Sequence, residues 1–388
     1  MLDDNVTRRR VLRSTVFGVA ATGMAGIASA TEQIEINVGF SNVLGKQAAQ
    51  STADSVKREF GFDAMTIRAS RSSLSDLQAN PHIRYAEENG QLHAVDQPFP
   101  WGIEFIDADD VIGQGETGNG VDIAIVDTGI DADHEDLAQN LGAGWAAENV
   151  TCRNDCEDGP ACNPNDIDGC QADWDDDNDH GTHVAGIAGA LDNDIGVVGV
   201  APEITLHSVK VLDCCGTGSA DDVAAGIEWA ADQDHDVINL SLGGDAASVV
   251  EDAVVYAAAA GVIQVAAAGN EGEDDSILYP AAYDDVIAVG AIDENETLAD
   301  FSSKGPELDL VAPGVDVPST IAGDAYAERC GTSMASPHVA GGAAHLVANG
   351  YDAQAARDRL EDTAVSCGLT DDEEGNGRID IAAALDLT

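Results

Sequence analysis

From Val121 onward, short apolar runs rich in β-branched residues alternate with runs of helical periodicity. The first apolar run is VDIAIVD, and it is followed by the helical run HVAGIAGAL. The alternation continues through ITLHSVKVL, DDVAAGIEWAAD, DVINLSL, SVVEDAVVYAAAA, VIQVAAA and VIAVGAI, and a last helix holds Ser333. This pattern predicts an α/β fold with a mostly parallel sheet covered by helices on both faces. Sites in such sheets form at the carboxyl ends of the strands.

Charge divides the chain into two parts. The 388 residues contain Lys+Arg 17 against Asp+Glu 71, which gives a net charge of −54. Residues 1–95 hold 10 basic and 10 acidic side chains, so residues 96–388, with 7 basic and 61 acidic ones, carry the whole excess. Phosphate would be repelled by such a polyanion, which excludes nucleic acid as a partner. The charge indicates a protein suited to a very salty medium.

The N-terminal segment reads TRRRVLRSTVFGVAATGMAGIASA. Arg8 and Arg9 precede an apolar stretch rich in alanine and glycine, which ends in the small residues ASA at 28–30. We interpret residues 1–30 as a twin-arginine signal peptide, and we expect a secreted, extracellular protein with no stable membrane span in its mature form. A membrane-spanning helix is the alternative, but the stretch is short and interrupted by glycines.

Residues 31–95 show a separate set of patterns. An alternating run, IEINVGF, is followed by the helical run AAQSTADSVKREFG, the alternating run AMTIRAS, the helix SLSDLQAN and the extended run IRYAEENGQLHAV. Strands and helices with clear periodicity favour a small folded α/β module over a spacer. The sequence therefore predicts three parts, at residues 1–30, 31–95 and 96–388.

Three segments of the largest part each place one polar side chain within two residues of a glycine. Asp127 lies in IAIVDTGID, His180 in HGTHVAGIAG and Ser333 in GTSMASPHVAGG. A serine hydroxyl is a weak nucleophile until a neutral histidine accepts its proton and a carboxylate orients that histidine. The chain supplies all three groups, in the order Asp, His, Ser.

Asp127, His180 and Asn270 also have other interpretations. Asp-Thr-Gly occurs in aspartic proteases, but they need a second carboxylate, and this chain has one such tripeptide and would have to dimerise. His180 and His183 could bind a metal, although the sequence places no third ligand. Asn270, in AAAGNEG, follows an apolar run in a glycine turn, where asparagine is usually a turn residue.

Together with AAAGNEG, these segments resemble the catalytic blocks of the subtilisin-like serine proteases (subtilases), over roughly residues 97–388. The chain resembles in particular the halolysin-like extracellular proteases of haloarchaea. The resemblance implies a monomeric endopeptidase that cleaves proteins and peptides. In it, Ser333 attacks the peptide carbonyl, His180 acts as general base and then acid, and Asp127 orients His180. The Asn270 side-chain amide and the Ser333 N–H would stabilise the oxyanion.

The resemblance also implies where substrate binds. The backbone edge that pairs with the peptide would consist of Ser241, Leu242, Gly243 and Gly244, and such pairing gives broad specificity. The pocket for the side chain before the scissile bond would be lined by Ala267, Ala268 and Gly269. The chain departs from the family after Asn270, because the loop to Tyr279 is short and Leu278 stands where the family often has glycine. This departure disfavours a deep pocket that accepts aromatic side chains.

A structural Ca²⁺ is the cofactor that the resemblance implies. The segment LDNDIGVVGV at 191–200 follows the histidine helix as the family's high-affinity calcium loop does. Hard cations bind several oxygen ligands at once. By matching positions, the ligands would be Gln97, Asp136, Leu191, Asn193, Ile195 and Val197. The alternative is that the acidic residues of this segment only solvate a surface turn.

Cysteines are the other unusual feature. Four of the eight lie in an acidic insertion before His180, at positions Cys152, Cys156, Cys162 and Cys170. In an exported protein two local disulfides, in one of three pairings, are favoured over a zinc site. The partners of the other four cannot be read from the sequence; these are Cys214, Cys215, Cys330 and Cys367.

The module at 31–95 resembles the propeptide inhibitors that assist the folding of subtilisin-like enzymes and leave by self-cleavage. The cut would fall between His93 and Asp96. Because twin-arginine export carries folded protein, an enzyme folded in the cytoplasm would need its cleft blocked until it is outside. The resemblance therefore implies an inactive precursor that has its own propeptide as an inhibitory partner.

Overall fold

The computed structural model describes residues 33–89, 97, 99–152 and 170–387. The predicted signal peptide and the predicted processing site lie outside these residues. The chain divides into two compact units, Met1–Ala94 and Val95–Thr388. Among the helices of the described residues, none combines the length and the apolar character needed to cross a bilayer.

The first unit contains an antiparallel sheet and two helices. Its elements are β1 (Gln33–Phe40), α1 (Val43–Thr52), β2 (Ser55–Phe60), β3 (Ala64–Ser70), α2 (Ser73–Gln78) and β4 (Ile83–Glu88). The strands lie in the order β2-β3-β1-β4. Neighbouring strands are antiparallel. The core of this unit includes Ile36, Val38, Met65 and Ile67, all with no exposed surface.

The prediction of one helix over AAQSTADSVKREFG is wrong. Helix α1 begins earlier, because the Asn42 side chain accepts hydrogen bonds from the backbone N–H groups of Leu44 and Gly45, and it ends at Thr52. The second half of the run forms β2, which pairs with β3 and is exposed along most of its length. Backbone pairing at a solvent-exposed edge thus overrides a pattern that looked helical.

The second unit is built on a seven-stranded sheet. Its strands are β5 (Asp122–Asp127), β6 (Trp145–Ala146), β7 (Thr205–Lys210), β8 (Val237–Leu240), β9 (Ile263–Ala267), β10 (Ile287–Ile292) and β11 (Leu310–Pro313). They lie in the order β11-β10-β9-β8-β5-β7-β6. Every neighbouring pair is parallel, which confirms the predicted sheet. A separate antiparallel hairpin consists of β12 (Val317–Ile321) and β13 (Ala325–Arg329).

Helices cover both faces of the sheet, as predicted. In the described part of this unit they are α3 (Trp101–Phe105), α4 (Ala108–Gly113), α5 (His180–Gly189), α6 (Ala220–Asp232), α7 (Ser248–Ala260), α8 (Thr332–Ala348), α9 (Ala353–Asp362), α10 (Asp371–Glu374) and α11 (Ile381–Ala384). In β5, Ile123 and Ile125 belong to a core that includes residues of α5 and α8. Ala124 and Val126 belong to a second core with residues of α6 and α7. Successive side chains of a strand point to opposite faces, so the two cores lie on the two sides of the sheet.

The sheet order brings three strand ends together. Strand β5 lies between β7 and β8, and β9 lies beside β8. Asp127 is the last residue of β5, Ser241 follows β8 directly, and Asn270 follows three residues after β9. Parallel strands end at the same edge, so these polar residues share one rim of the sheet.

Cys152 and Cys170 form a disulfide, so this pair is not available to a zinc ion. Cys214 and Cys215 are also disulfide-bonded. Among the described cysteines, Cys330 and Cys367 are free thiols. Residues 153–169, with the other two cysteines of the insertion, lie outside the described residues.

Candidate active site

Asp127 and His180 form a close pair. His180 Nδ1 lies 2.7 Å from Asp127 Oδ1. A carboxylate oxygen accepts, so Nδ1 carries the proton and Nε2 is left as the basic nitrogen. Burial lowers the pKa of His180, but the charge of Asp127 and the hydrogen bond to it raise this pKa more, and the result lies above the ordinary value of 6.5. The pair therefore has the electrostatics of a general base oriented by a carboxylate.

A buried carboxylate attaches helix α5 to the end of β5. Asp176 Oδ2 accepts from the Thr182 N–H at 2.8 Å and from the Thr182 hydroxyl at 2.6 Å. Asp176 Oδ1 accepts from the Thr128 hydroxyl at 2.8 Å. That hydroxyl in turn accepts from the Gly181 N–H at 2.9 Å. These bonds satisfy free N–H groups of the first helical turn and thereby position His180.

Glycine is required directly after His180 because the helix start touches the chain that leaves β5. A Cβ at Gly181 would lie 2.1 Å from the Gly129 carbonyl oxygen and 3.1 Å from the Asp127 Cβ. The close approach explains the glycine in the segment HGTHVAGIAG.

Ser333 is the second residue of α8. Its hydroxyl donates to the Ser241 carbonyl at 3.3 Å, and within the described residues this carbonyl, and not the His180 imidazole, is its hydrogen-bond partner. A proton transfer from this hydroxyl to His180 would require a change of its hydrogen bond. The Ser333 N–H lies in the first helical turn, where backbone donors have no intrahelical acceptor.

Pro337 creates a gap in the hydrogen bonding of α8 that Ser241 fills. Proline has no N–H, so the carbonyl of Ser333, four residues earlier, loses its helical partner. Ser241 Oγ donates to that carbonyl at 2.9 Å. The same hydroxyl lies 2.9 Å from Asn239 Nδ2 and 2.9 Å from Ser336 Oγ. Ser241, predicted as part of a substrate-binding edge, therefore also supports the backbone of Ser333.

Asn270 is oriented by Thr332. Its Oδ1 accepts from the Thr332 N–H at 2.9 Å and from the Thr332 hydroxyl at 3.1 Å. A Cβ at Gly331 would lie 3.7 Å from Asn270 Nδ2 and 3.7 Å from the Ser333 nitrogen. The two nitrogens therefore border one space beside Gly331, and two N–H donors facing one space can stabilise an oxyanion.

A cavity of about 520 Å³ extends from His180 along the rim. One wall is the predicted edge at 241–244, and another is the segment at 215–219. The sequence did not indicate the second wall. The glycines of the segment at 215–219, CGTGS, could have indicated this wall, because another chain can approach a glycine backbone closely. The predicted residues Ala267, Ala268 and Gly269 lead from β9 to Asn270 and are buried.

The model of the subtilase family matches residues 118–378. The chain belongs to the subtilase family. Subtilisin E of Bacillus subtilis (strain 168) is 38% identical over 386 residues, which cover 95% of each chain. Subtilisin DY of Bacillus licheniformis is 45% identical over 295 residues, 74% of this chain and 99% of that protein. An alkaline protease of Shouchella clausii is 41% identical over 323 residues, 82% of this chain and 78% of that protein.

The protein is thus a subtilisin-like serine endopeptidase. The aspartic-protease alternative is wrong, since Asp127 pairs with an imidazole and not with a second carboxylate. The alternative of a metal held by two histidines is also unsupported. His183 Nε2 lies 3.0 Å from the Ala327 carbonyl, and burial lowers the pKa of His183 to about 3. In this subtilase the two imidazoles therefore have different partners.

A buried lysine near Asp127 is a further residue that the sequence analysis missed. Lys210 has no exposed surface and lies 2.6 Å from Asp177 Oδ1. Its ammonium also donates to the Thr128 carbonyl. The signal was a lysine inside the apolar run ITLHSVKVL, because a charge that is buried with such a run needs a partner.

The six predicted calcium ligands of this subtilase are connected by hydrogen bonds in two groups, one around Gln97 and one around Asp136. In the first, Gln97 Oε1 accepts from the Asn193 N–H at 3.0 Å, and Gln97 Nε2 donates to the Leu191 carbonyl at 3.4 Å. Asn193 Oδ1 accepts from the Ile195 N–H at 3.0 Å. The side chain of Gln97 therefore lies against the loop at 191–197.

The second group centres on Asp136. Its Oδ2 accepts from the Val197 N–H at 3.0 Å, whereas its Oδ1 is buried without a hydrogen-bond partner. Burial raises the pKa of this carboxyl above its ordinary value. An unpartnered buried carboxylate oxygen is costly, and a cation beside it would remove that cost. The described residues contain no cluster of three or more His, Cys, Asp or Glu side chains that could hold a metal, so a cation here would depend mainly on amide and carbonyl oxygens.

Proposed function

We propose that Ser333 is the nucleophile of this endopeptidase, that His180 is its general base and then its acid, and that Asp127 orients the histidine. The observation that carries the proposal is the 2.7 Å contact between His180 Nδ1 and Asp127 Oδ1. As Ser333 Oγ attacks the peptide carbonyl carbon, its proton passes to His180 Nε2. His180 then gives this proton to the leaving amine, while Asp127 stays ionised and stabilises the imidazolium.

The oxyanion formed in this step is stabilised by Asn270 Nδ2 and the Ser333 N–H. The support is that both nitrogens border the same space, and that Thr332 holds the oxygen of the Asn270 side chain. These donors are oriented before the reaction, so they do not have to reorganise as charge develops.

Protein and peptide substrates bind as an extended chain along residues 241–244. The support is that this segment follows β8 and lines the cavity that reaches His180. Hydrogen bonds to an extended main chain do not depend on side-chain identity, so binding along this edge has broad specificity.

Calcium is a structural cofactor in this proposal. Its ligands are side-chain oxygens of Gln97, Asp136 and Asn193 and backbone carbonyls of Leu191, Ile195 and Val197. The buried, unpartnered Asp136 Oδ1 supports the proposal, and in the described residues the carbonyls of Ile195 and Val197 accept no hydrogen bond. Calcium that binds only the folded state stabilises the fold, and it has no part in the proton transfers.

The protein is made as a precursor and exported. The proposed parts are a twin-arginine signal at 1–30, an inhibitory propeptide at 31–95 that the enzyme itself removes, and a monomeric peptidase at 96–388. The net charge of −54, all of it in the last part, supports adaptation to molar salt, as in the halolysin-like enzymes of haloarchaea.

Intact mass before and after treatment with a fluorophosphonate tests the proposal. The purified wild type should have lost its first 95 or so residues and should gain the mass of one adduct. Ser333→Ala should remain at the mass of the uncut precursor and gain nothing. A Ser333→Ala protein that matures in pure form would refute self-processing, and one that still takes up the reagent would refute the assignment of the nucleophile.

A further inference from the structure

Lys210 lies beside Asp127 at the ends of two neighbouring strands. It is the last residue of β7 and has no exposed surface. In the parallel pairing of β5 with β7, Lys210 is the direct partner of Asp127. The N–H groups of the next two residues, Val211 and Leu212, donate to the Asp127 carbonyl at 2.9 and 3.1 Å. The backbone that carries Lys210 is therefore tied to the backbone of Asp127.

The Lys210 side chain binds the two segments that carry Asp127 and His180. Its ammonium donates to the carbonyl of Thr128, the residue directly after Asp127. It also donates to Asp177 Oδ1 at 2.6 Å, and Asp177 lies three residues before His180. A buried ammonium needs such partners to offset its loss of hydration. Here one partner is a neighbour of the orienting carboxylate and the other precedes the proposed base.

Thr128 connects Lys210 to the Asp127 carboxylate. The Thr128 N–H donates to Asp127 Oδ1 at 2.7 Å, and this is the oxygen that lies 2.7 Å from His180 Nδ1. Asp127 Oδ2 is buried and has no hydrogen-bond partner among the described residues. In this part of the chain, the Thr128 N–H is therefore the one donor that orients the carboxylate independently of His180.

Thr128 is held at each of its polar groups. Its hydroxyl accepts from the Gly181 N–H at 2.9 Å and donates to Asp176 Oδ1 at 2.8 Å, while its carbonyl accepts from Lys210. Loss of the bond at the carbonyl would leave a buried acceptor without a partner, and the backbone would have to shift to satisfy it. Such a shift would move the Thr128 N–H away from Asp127 Oδ1.

We propose that Lys210 is a positioning residue for the peptidase reaction, because it holds Thr128 so that the Asp127 carboxylate stays aligned with His180. This inference rests on the proposed function. The ordinary role of a buried lysine is to neutralise a buried carboxylate, and neutral groups of similar size can often replace such a pair without loss of stability. Alignment of Asp127 has a different requirement, which is a donor at the Thr128 carbonyl.

The test separates these two roles with four variants of the mature enzyme. Lys210→Met removes both bonds of the ammonium, Asp177→Asn removes only the carboxylate, and the double variant removes the ion pair. Arg359→Met is the matched control, because the Arg359 guanidinium also binds a carboxylate, of Asp386, and a backbone carbonyl, of Ala384. The measurements are kcat and KM for a peptide anilide, per active site titrated with a fluorophosphonate, and the midpoint of denaturant unfolding.

Lys210→Met should lower kcat by about 10- to 100-fold, the loss that a small misplacement of a reacting group can cause, and KM should change little. Its unfolding midpoint should also fall, because the Asp177 carboxylate loses its cation. The double variant should regain most of the midpoint and none of the kcat. Asp177→Asn should keep the wild-type kcat, because the bond from Lys210 to Thr128 stays, and so should Arg359→Met.

A double variant that regains kcat together with its midpoint would overturn the inference, since Lys210 would then act only as a counter-ion. A rise in KM at constant kcat would also overturn it, because that result would mean weaker peptide binding. If Lys210→Met does not fold, the double variant and Asp177→Asn decide, because they differ at Lys210 alone. A wild type with neither turnover nor labelling would instead refute the proposed function, and the inference with it.

Discussion

Replacement of Thr332 by valine should weaken catalysis without any change at Ser333, His180 or Asp127. The Thr332 hydroxyl donates to Asn270 Oδ1 at 3.1 Å and accepts from the Gly269 N–H at 3.1 Å. Valine has nearly the same shape and keeps the backbone N–H that holds Asn270 at 2.9 Å. The substitution therefore removes one of the two bonds that orient the proposed oxyanion donor.

The magnitude follows from these two contacts. A hydrogen bond between neutral groups contributes about 0.5–1.5 kcal/mol, so loss of the bond to Asn270 should lower kcat by about 2- to 13-fold. KM should change little, because the oxyanion exists only in the transition state and the intermediate that follows it. The Gly269 N–H loses its buried acceptor, which should reduce the free energy of unfolding by about 1–3 kcal/mol.

Steady-state kinetics with a peptide anilide, together with denaturant unfolding, measure both effects. Thr332→Ser is the matched control, since it keeps the hydroxyl and removes only a methyl group. It should retain most of the wild-type kcat. If Thr332→Val and Thr332→Ser have equal kcat, the hydroxyl does not orient Asn270 and the argument fails. A rise in KM at constant kcat would also refute it, because that result would mean a loss of ground-state binding.

Three further predictions concern pH, calcium and salt. The raised pKa of His180 means that kcat/KM should rise with pH as the imidazolium loses its proton, with a midpoint above 6.5, and a midpoint clearly below that value would contradict the effect of Asp127. Chelation should shorten the thermal half-life of the wild type, because a ligand at a hundredfold excess over Kd stabilises the folded state by about 2.7 kcal/mol. Chelation should not change the half-life of Asp136→Asn, which lacks one of the proposed calcium ligands. Equal half-lives of the wild type with and without chelator would refute a stabilising calcium ion. Half-life should fall when sodium chloride is lowered from 3 M to 0.1 M at fixed calcium, since the Debye length is about 3 Å at 1 M and about 10 Å at 0.1 M; an unchanged half-life would refute salt adaptation.

The larger unit was predictable because most strands of its sheet are buried on both faces. The strands β5, β9 and β10 consist almost entirely of buried residues, and continuous apolar runs mark them in the sequence. Strand β2 has no such mark, because it is exposed and its conformation depends on pairing with β3. Sequence patterns report burial, so an exposed edge strand can look like a helix.

The residues of the proposed mechanism carry a signal in the sequence, whereas the residues that hold them do not. Asp127, His180 and Ser333 stand in glycine-bordered segments that carry their own signal. Asp176 stands in a run of acidic residues, DWDDDND, in which nothing singles it out. Its role depends on a fold that brings α5 to the end of β5, and such contacts are not encoded in local spacing.

Pro337 is an exception, because a proline within a helical run indicates that one backbone hydrogen bond of the helix is missing. A proline inside a helix leaves the carbonyl four residues earlier without a partner, and here that carbonyl belongs to Ser333. This carbonyl is therefore free to accept a hydrogen bond from outside the helix. The structure identifies the donor as the Ser241 hydroxyl.

Three residues of the proposed mechanism are each supported by a neutral hydroxyl that both donates and accepts. The Thr128 hydroxyl accepts from the first turn of the helix that begins at His180 and donates to Asp176. The Ser241 hydroxyl donates to the Ser333 carbonyl and accepts from Asn239. The Thr332 hydroxyl donates to Asn270 Oδ1 and accepts from the Gly269 N–H. At His180 the Thr128 hydroxyl acts together with the Asp176 carboxylate, which also helps to raise the pKa of the imidazole. Asp127 remains the strongest influence that raises the pKa of His180, ahead of Asp176. Several hydrogen bonds thus position His180, while its pKa is set chiefly by its burial and by the Asp127 carboxylate.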